Sequence, residues 1–187
     1  MSLQKETTID VFNIIEKNYK KDSDLYNILV NHSRDVAQKA ISIVKAHPEL
    51  DVDPVFIEEA AMLHDIGISM TNAPYIHCYG IMPYLCHGYL GREILENEGL
   101  PKHALVCERH TGVGMTAEDI KALSLPLPCR DMLPVTTEEQ IICFADCFFS
   151  KNNIGNEKTI EEIKKDLSTY TTDKGIERFD QWCEKFL

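Results

Sequence analysis

Basic residues are scarce in this chain: 19 Lys and Arg stand against 30 Asp and Glu, a formal net charge of −11 over 187 residues. That balance disfavours a nucleic-acid duplex as partner, since neutralising backbone phosphates takes a basic surface. It leaves room for small anionic substrates, because bound cations can supply the local positive charge. No apolar run approaches the roughly 18 residues that span a bilayer, so no membrane partner is expected. Met1 to Thr8 lacks the basic-then-apolar pattern of a signal peptide, and the expected compartment is the cytoplasm. CxxC pairs are missing too. The seven cysteines are an odd number spread over apolar segments, which argues against a disulfide framework and for a reducing cytosol. Cys143 and Cys147, four apart, share a helix face and read as small core residues rather than zinc thiolates.

Strand signals and low-complexity tracts are also lacking, and what remains is helical periodicity. Ile9, Phe12, Ile15 and Tyr19 mark a helix over Thr8–Tyr19. Asp22 or Ser23 caps a second running to about Ala46, with Leu25, Leu29, Val36, Ala40, Ile43 and Val44 as its stripe. Asp53-Pro54 opens a third that ends near Asp65. Ser69 to His77 reads as loop, followed by helices over about Pro83–Glu98 and Pro101–Arg109. Thr116 caps a short helix to Leu123, with Asp119 as its acidic third residue. Leu125 to Pro134, with three prolines, is irregular, and Thr136 or Thr137 opens the next helix. Glu157–Leu167 and Asp173–Phe186 close the chain, with Phe179, Trp182 and Phe186 facing the core. The fold class is all-α, one domain over 1–187, ample for a sizeable core.

His64-Asp65, ending the apolar run Ala60-Ala61-Met62-Leu63, carries the chemical signal. Burying an imidazole and a carboxylate side by side is costly without a partner, and a divalent metal wants both. Adjacent helical residues point about 100° apart, so the pair belongs at a helix C-terminus, where a turn before Gly67 can aim both inward. A carboxylate can bridge two ions, so a dinuclear site is open. His32, His87 and His110 lie in comparable settings, and Asp146 interrupts the almost wholly apolar Ile141–Phe149. The candidate ligands are therefore His32, His64, Asp65, His87, His110 and Asp146, with His64 and Asp65 as the candidate catalytic pair. His47, His77 and His103 read as solvated; the His77 loop precedes the His87 segment and is placed to overhang the site. Basic residues near the ligands are candidate phosphate contacts: Arg109, Lys151 and Arg92. Glu108 is a candidate acceptor for orienting a ligand histidine.

The order His32, His64-Asp65, His87, His110, Asp146 resembles the HD-domain superfamily of metal-dependent phosphohydrolases. His64-Asp65-Ile66-Gly67 is its HDIG form, and Glu108–Gly114, Leu123–Pro126 and Pro134–Gln140 resemble strings of small stand-alone HDIG proteins. The resemblance covers about Asn27 to Lys151, the expected core, with helices over 156–186 packing on it. It implies a helical bundle with the metal site between helices. His32, His64, Asp65 and Asp146 would hold one ion; His87, His110 and a bridging Asp65 would hold a second. It also implies iron or manganese, with zinc, cobalt, nickel or magnesium as further candidates. Lys151 matches a basic residue found shortly after the last Asp. The expected activity is hydrolysis of a small phosphate ester or nucleotide by a metal-activated water. Two other readings stand beside it: a di-iron oxygenase with the same ligand order, and a metal-binding or nucleotide-binding module without turnover. The Gly-Tyr-Pro motif of one cyclic-dinucleotide phosphodiesterase branch is absent, Gly88-Tyr89-Leu90 not being it. Oligomeric state is left open.

Overall fold

Side-chain caps decide where most of the helices begin. The computed structural model describes residues 9–187, so the readings that rest on Met1–Thr8 lie outside the described residues. Asp10 accepts from Asn13 N at the head of α1 (Val11–Asn18), and Ser23 from Tyr26 N at the head of α2 (Asp24–Ala46). Asp53 takes the amides of Val55 and Phe56 to open α3 (Pro54–Leu63), each cap satisfying donors that a helix start leaves free. Then come α4 (His87–Asn97), α5 (Pro101–Arg109) and α6 (Ala117–Ala122), the last with a complete Thr116–Asp119 capping box. Thr136 caps α7 (Thr137–Cys147), Thr159 caps α8 (Ile160–Leu167), and α9 (Asp173–Phe186) ends the chain.

The fold is all-α, with one small exception. Asn72–Ala73 (β1), within the Ser69–His77 stretch expected as loop, pairs antiparallel with Cys78–Tyr79 (β2) just beyond it. A short 3-10 turn over Pro74–Ile76 joins the two strands, and others over Ile66–Met70 and Tyr84–Cys86 flank them. Consequently α4 starts at His87 and not Pro83: the chain spends Tyr84–Cys86 in a tighter turn first.

Core and site share the same helices. α2 packs on α3 and α7, and α4 packs on α5. Along α2 the buried positions Leu29, His32, Ser33, Val36, Ala37, Ala40 and Ile43 follow a three-and-four spacing, so His32 occupies what is otherwise a core stripe. In α7, Ile141 through Ala145 are all fully buried. Phe144 sits among Phe148, Phe179, Trp182 and Phe186, which fastens α9 onto α7. Burying each such side chain contributes about 1.5–3 kcal/mol.

Candidate metal centre

Three histidines reach the centre by one local device. His64 Nδ1 lies 2.6 Å from Ala61 O, His87 Nδ1 2.7 Å from Tyr84 O, and His110 Nδ1 2.7 Å from Cys107 O. Each partner is the carbonyl three residues back, so each ring is tied to its own helical turn. A carbonyl only accepts; Nδ1 therefore carries the proton, and Nε2 of the neutral ring offers a lone pair. His32 comes from the middle of α2, and Asp146 from the last turn of α7.

Asp65 is placed by leaving the helix. His64 still has helical angles, whereas Asp65 has φ −105° and ψ 11° and begins the 3-10 turn. That break turns the carboxylate to the same side as the imidazole. Gly67, expected just after that turn, has a packing duty as well. It is not among the positive-φ residues, but a Cβ there would lie 2.2 Å from His87 O and 2.5 Å from Gly91 N. The glycine lets the turn press against α4.

The six side chains converge in two groups that share Asp65. His32 Nε2 lies 3.1 Å from Asp65 Oδ2 and 2.9 Å from Asp146 Oδ1. His64 Nε2 lies 3.1 and 3.5 Å from the same two oxygens. On the other side, Asp65 Oδ1 lies 3.4 Å from His87 Nε2 and 3.5 Å from His110 Nε2, which are themselves 3.0 Å apart. Ligands bound at about 2.1 Å to one ion sit about 3.0 Å apart at right angles and about 3.4 Å apart in a tetrahedron. Both groups have that spacing. His32 Nε2, His64 Nε2 and Asp65 Oδ1 are buried with no hydrogen-bond partner among the described residues, an expensive arrangement unless a cation completes it. The donor set thus fits divalent metal, through His32, His64, Asp65 and Asp146, and through Asp65, His87 and His110.

Electrostatics point the same way. Burial would raise the Asp65 carboxyl, yet Lys151 and His64 outweigh it and hold it well below the usual carboxylate range. Asp146 is likewise held low against burial by His32 and His64. Burial opposes charging of His64, but the two carboxylates overcome it and raise it to about 10. His87, for which burial dominates, is pushed down to about 3. The two carboxylates favour positive charge here, which Lys151 and a cation among the ring nitrogens can supply.

A cavity of about 340 Å³ opens over the centre, lined by His87, His110, Asp146 and Lys151, with Tyr75, Tyr84 and Tyr170 among its walls. Lys151 Nζ lies 2.5 Å from Asp65 Oδ2 and 5.9 Å from the centroid of the Tyr84 ring. Arg92 and Arg109 do not line this cavity. Arg92 pairs with Glu96 and Glu108, and Arg109 with Glu139. Glu108 orients no ligand histidine: it is buried between Arg92 and Arg130, while backbone carbonyls orient the rings. His77 stays half-exposed, 3.9 Å from Asp24, and its loop contributes Tyr75 and Ile76 to the cavity instead. His103, expected in solvent, is buried in α5 against Phe56 and Glu59. His47 is the C-cap of α2 and pairs with Glu49. The tyrosine walls were not legible in the sequence, because nothing in a Tyr beside Pro74 or Thr171 distinguishes a cavity wall from an ordinary surface ring.

The sequence profile of the HD domain matches residues 29–149. An uncharacterised protein of Methanocaldococcus jannaschii is 35% identical over 143 residues, covering 74% of this chain and 77% of its own. Two proteins named tRNA (cytidine(56)-2'-O)-methyltransferase, from Picrophilus torridus and Thermoplasma volcanium, are each 30% identical over 141 and 123 residues. Those matches cover 75% and 65% of this chain but only 37% and 32% of theirs. No solved structure matches the chain.

Proposed function

The chain belongs to the HD-domain family, and from that membership we propose that it is a phosphohydrolase acting on small phosphate esters with two divalent ions. The carrying observation is the pair of imidazole nitrogens facing each other at 3.0 Å. With both Nδ1 atoms donating to carbonyls, two Nε2 lone pairs are held close together, and a cation bound by both would relieve the repulsion. The shared carboxylate supports a second ion, with Asp65 bridging and His32, His64 and Asp146 completing the other side. The nitrogen and oxygen donors suit iron or manganese better than calcium. When bound, such ions supply an activated water at neutral pH and neutralise charge on phosphoryl oxygens.

The chain's own contribution is placement. Three carbonyl-tethered rings and the Asp65 turn fix the donors, and burial keeps bulk water off them. Lys151, beside Asp65 and lining the cavity, is the cationic side chain that meets a phosphoryl oxygen, through a charge-assisted hydrogen bond. Arg92 and Arg109, tied to Glu108 and Glu139, brace the ligand-bearing helices. The methyl transfer named for two relatives is not carried over, since the match covers about a third of those chains. We place the protein in the cytosol, a reading supported by seven free cysteines. Among the described residues, no helix is long and apolar enough to cross a membrane.

Elemental analysis of protein purified without chelator, followed by phosphate release from a panel of esters, tests the reading. Two equivalents, mostly iron or manganese, with turnover of some phosphate ester, is the expected result. Failure to hold metal after reconstitution, or dioxygen uptake with an organic substrate and no phosphate release, would overturn it.

A further inference from the structure

The cavity over the centre also restricts what reaches it. At about 340 Å³ it lies at the small end of ligand sites, which run from roughly 300 to 1,000 Å³. Its inner end is narrow: of the donors that line it, His87 and His110 are buried and only the Asp146 side chain, at 17%, is open. A terminal phosphoryl group can enter such an end on one arm. A diester inside a longer chain would have to bury both arms at the narrow end. Lys151 is the sole Lys or Arg among the described lining residues, so one phosphoryl group has a partner and a polyphosphate tail has none.

The walls are aromatic from the centre outward. Tyr84 stacks on His87 at 4.8 Å and 28°, and Tyr75 lies 6.5 Å beyond Tyr84 at 57°. Tyr170, from the connection between α8 and α9, lines the same cavity. Tyr75 is 63% and Tyr170 52% exposed; neither ring is used by the core. Exposed tyrosines at a cavity wall are platforms for flat rings, which prefer stacked or edge-on aromatic neighbours.

Resting on the phosphohydrolase reading above, we propose that the substrate is a phosphomonoester of an alcohol bearing a planar aromatic ring, selected by Tyr75 and Tyr170. In its hydrolysis the water oxygen bonds to phosphorus, and the ester P–O bond breaks with its electron pair going to the alcohol oxygen. That oxygen takes up a proton, leaving the free alcohol and orthophosphate.

Calorimetric titration of the metal-loaded protein with phenylphosphonate and methylphosphonate isolates ring selection from turnover. Phenylphosphonate is expected to bind at least about tenfold tighter, and the preference to collapse towards one in the Tyr75→Leu/Tyr170→Leu double variant. Tyr75→Phe, which keeps the ring, and Tyr79→Leu, whose ring lies outside the cavity, are expected to retain it. A preference below about twofold, or one that survives the double variant, would overturn the proposal while leaving the phosphohydrolase reading intact. If neither phosphonate binds and no ester is hydrolysed despite full metal loading, that reading fails as well.

Discussion

Each of His64, His87 and His110 spends its Nδ1 proton on a carbonyl of its own helical turn, and that leaves Nε2 as the free donor. This tether is why the second group can be removed piecemeal. His110→Ala is expected to lower bound metal from two equivalents to one, with the His32, His64, Asp65 and Asp146 group still filled; elemental analysis reads it. Loss of all metal would mean that the two groups do not act as separate sites. Lys151 is expected to behave differently, because it neutralises and does not ligate. A hydrogen bond to a charged group is worth about 1.5–3 kcal/mol, so Lys151→Met should raise KM for a phosphate ester by roughly 10- to 100-fold. Metal content should stay the same, and steady-state kinetics paired with elemental analysis check both halves. The residue types of this centre could be picked out in the sequence because a carboxylate at Asp146 or an imidazole at His32 is chemically out of place on an apolar stripe. Their tethers could not, since every residue type carries a carbonyl.

The helix pair α4 and α5 depends on small residues. A Cβ on Gly91 would lie 2.2 Å from Cys107 Sγ and 3.1 Å from Gly67 N, inside a tightly packed junction with the turn that carries Asp65. Overpacking of this kind costs about 1–3 kcal/mol. Gly91→Ala is therefore expected to lower the urea midpoint with an unchanged slope, and to loosen metal binding because His87 and His110 ride on these helices. A variant as stable as the parent would show that the junction yields. Most helices were readable from caps and periodicity, since Ser23, Asp53, Thr116 and Thr136 each do locally what their type favours, whereas the helix expected from Glu157 starts only at Ile160, behind a Thr159 cap. The 66–86 stretch was not: 3-10 turns and a two-residue ladder leave no period to detect, and tertiary contact sets them. Gly67 shows the same limit, for it reads as marking the turn and serves as a contact.

Across the whole molecule, the centre joins α2, the end of α3, α4, α5 and α7, so filling it should tie the bundle together. A ligand at 100 times its Kd stabilises the folded state by about 2.7 kcal/mol, and a chain of this size gains roughly 2–4 °C in Tm per kcal/mol. Stripping metal with chelator is expected to lower Tm by about 5–10 °C, with recovery on adding manganese or iron; differential scanning calorimetry reads both steps. An unchanged Tm would mean that the centre is already satisfied without a cation. Local sequence sets the all-α class, most helix starts, and which acids and imidazoles sit where apolar residues belong. Those follow from local propensity, capping and the cost of burying charge, all written in neighbouring residues. Packing of the helices sets the rest: Asp65 divides its two oxygens between two histidine pairs, Arg92 and Arg109 are engaged by buried glutamates, and His103 is buried. Packing also brings Tyr75 and Tyr170 to the cavity wall. Those are relations between segments far apart in the chain, fixed when helices pack, and no local pattern carries them.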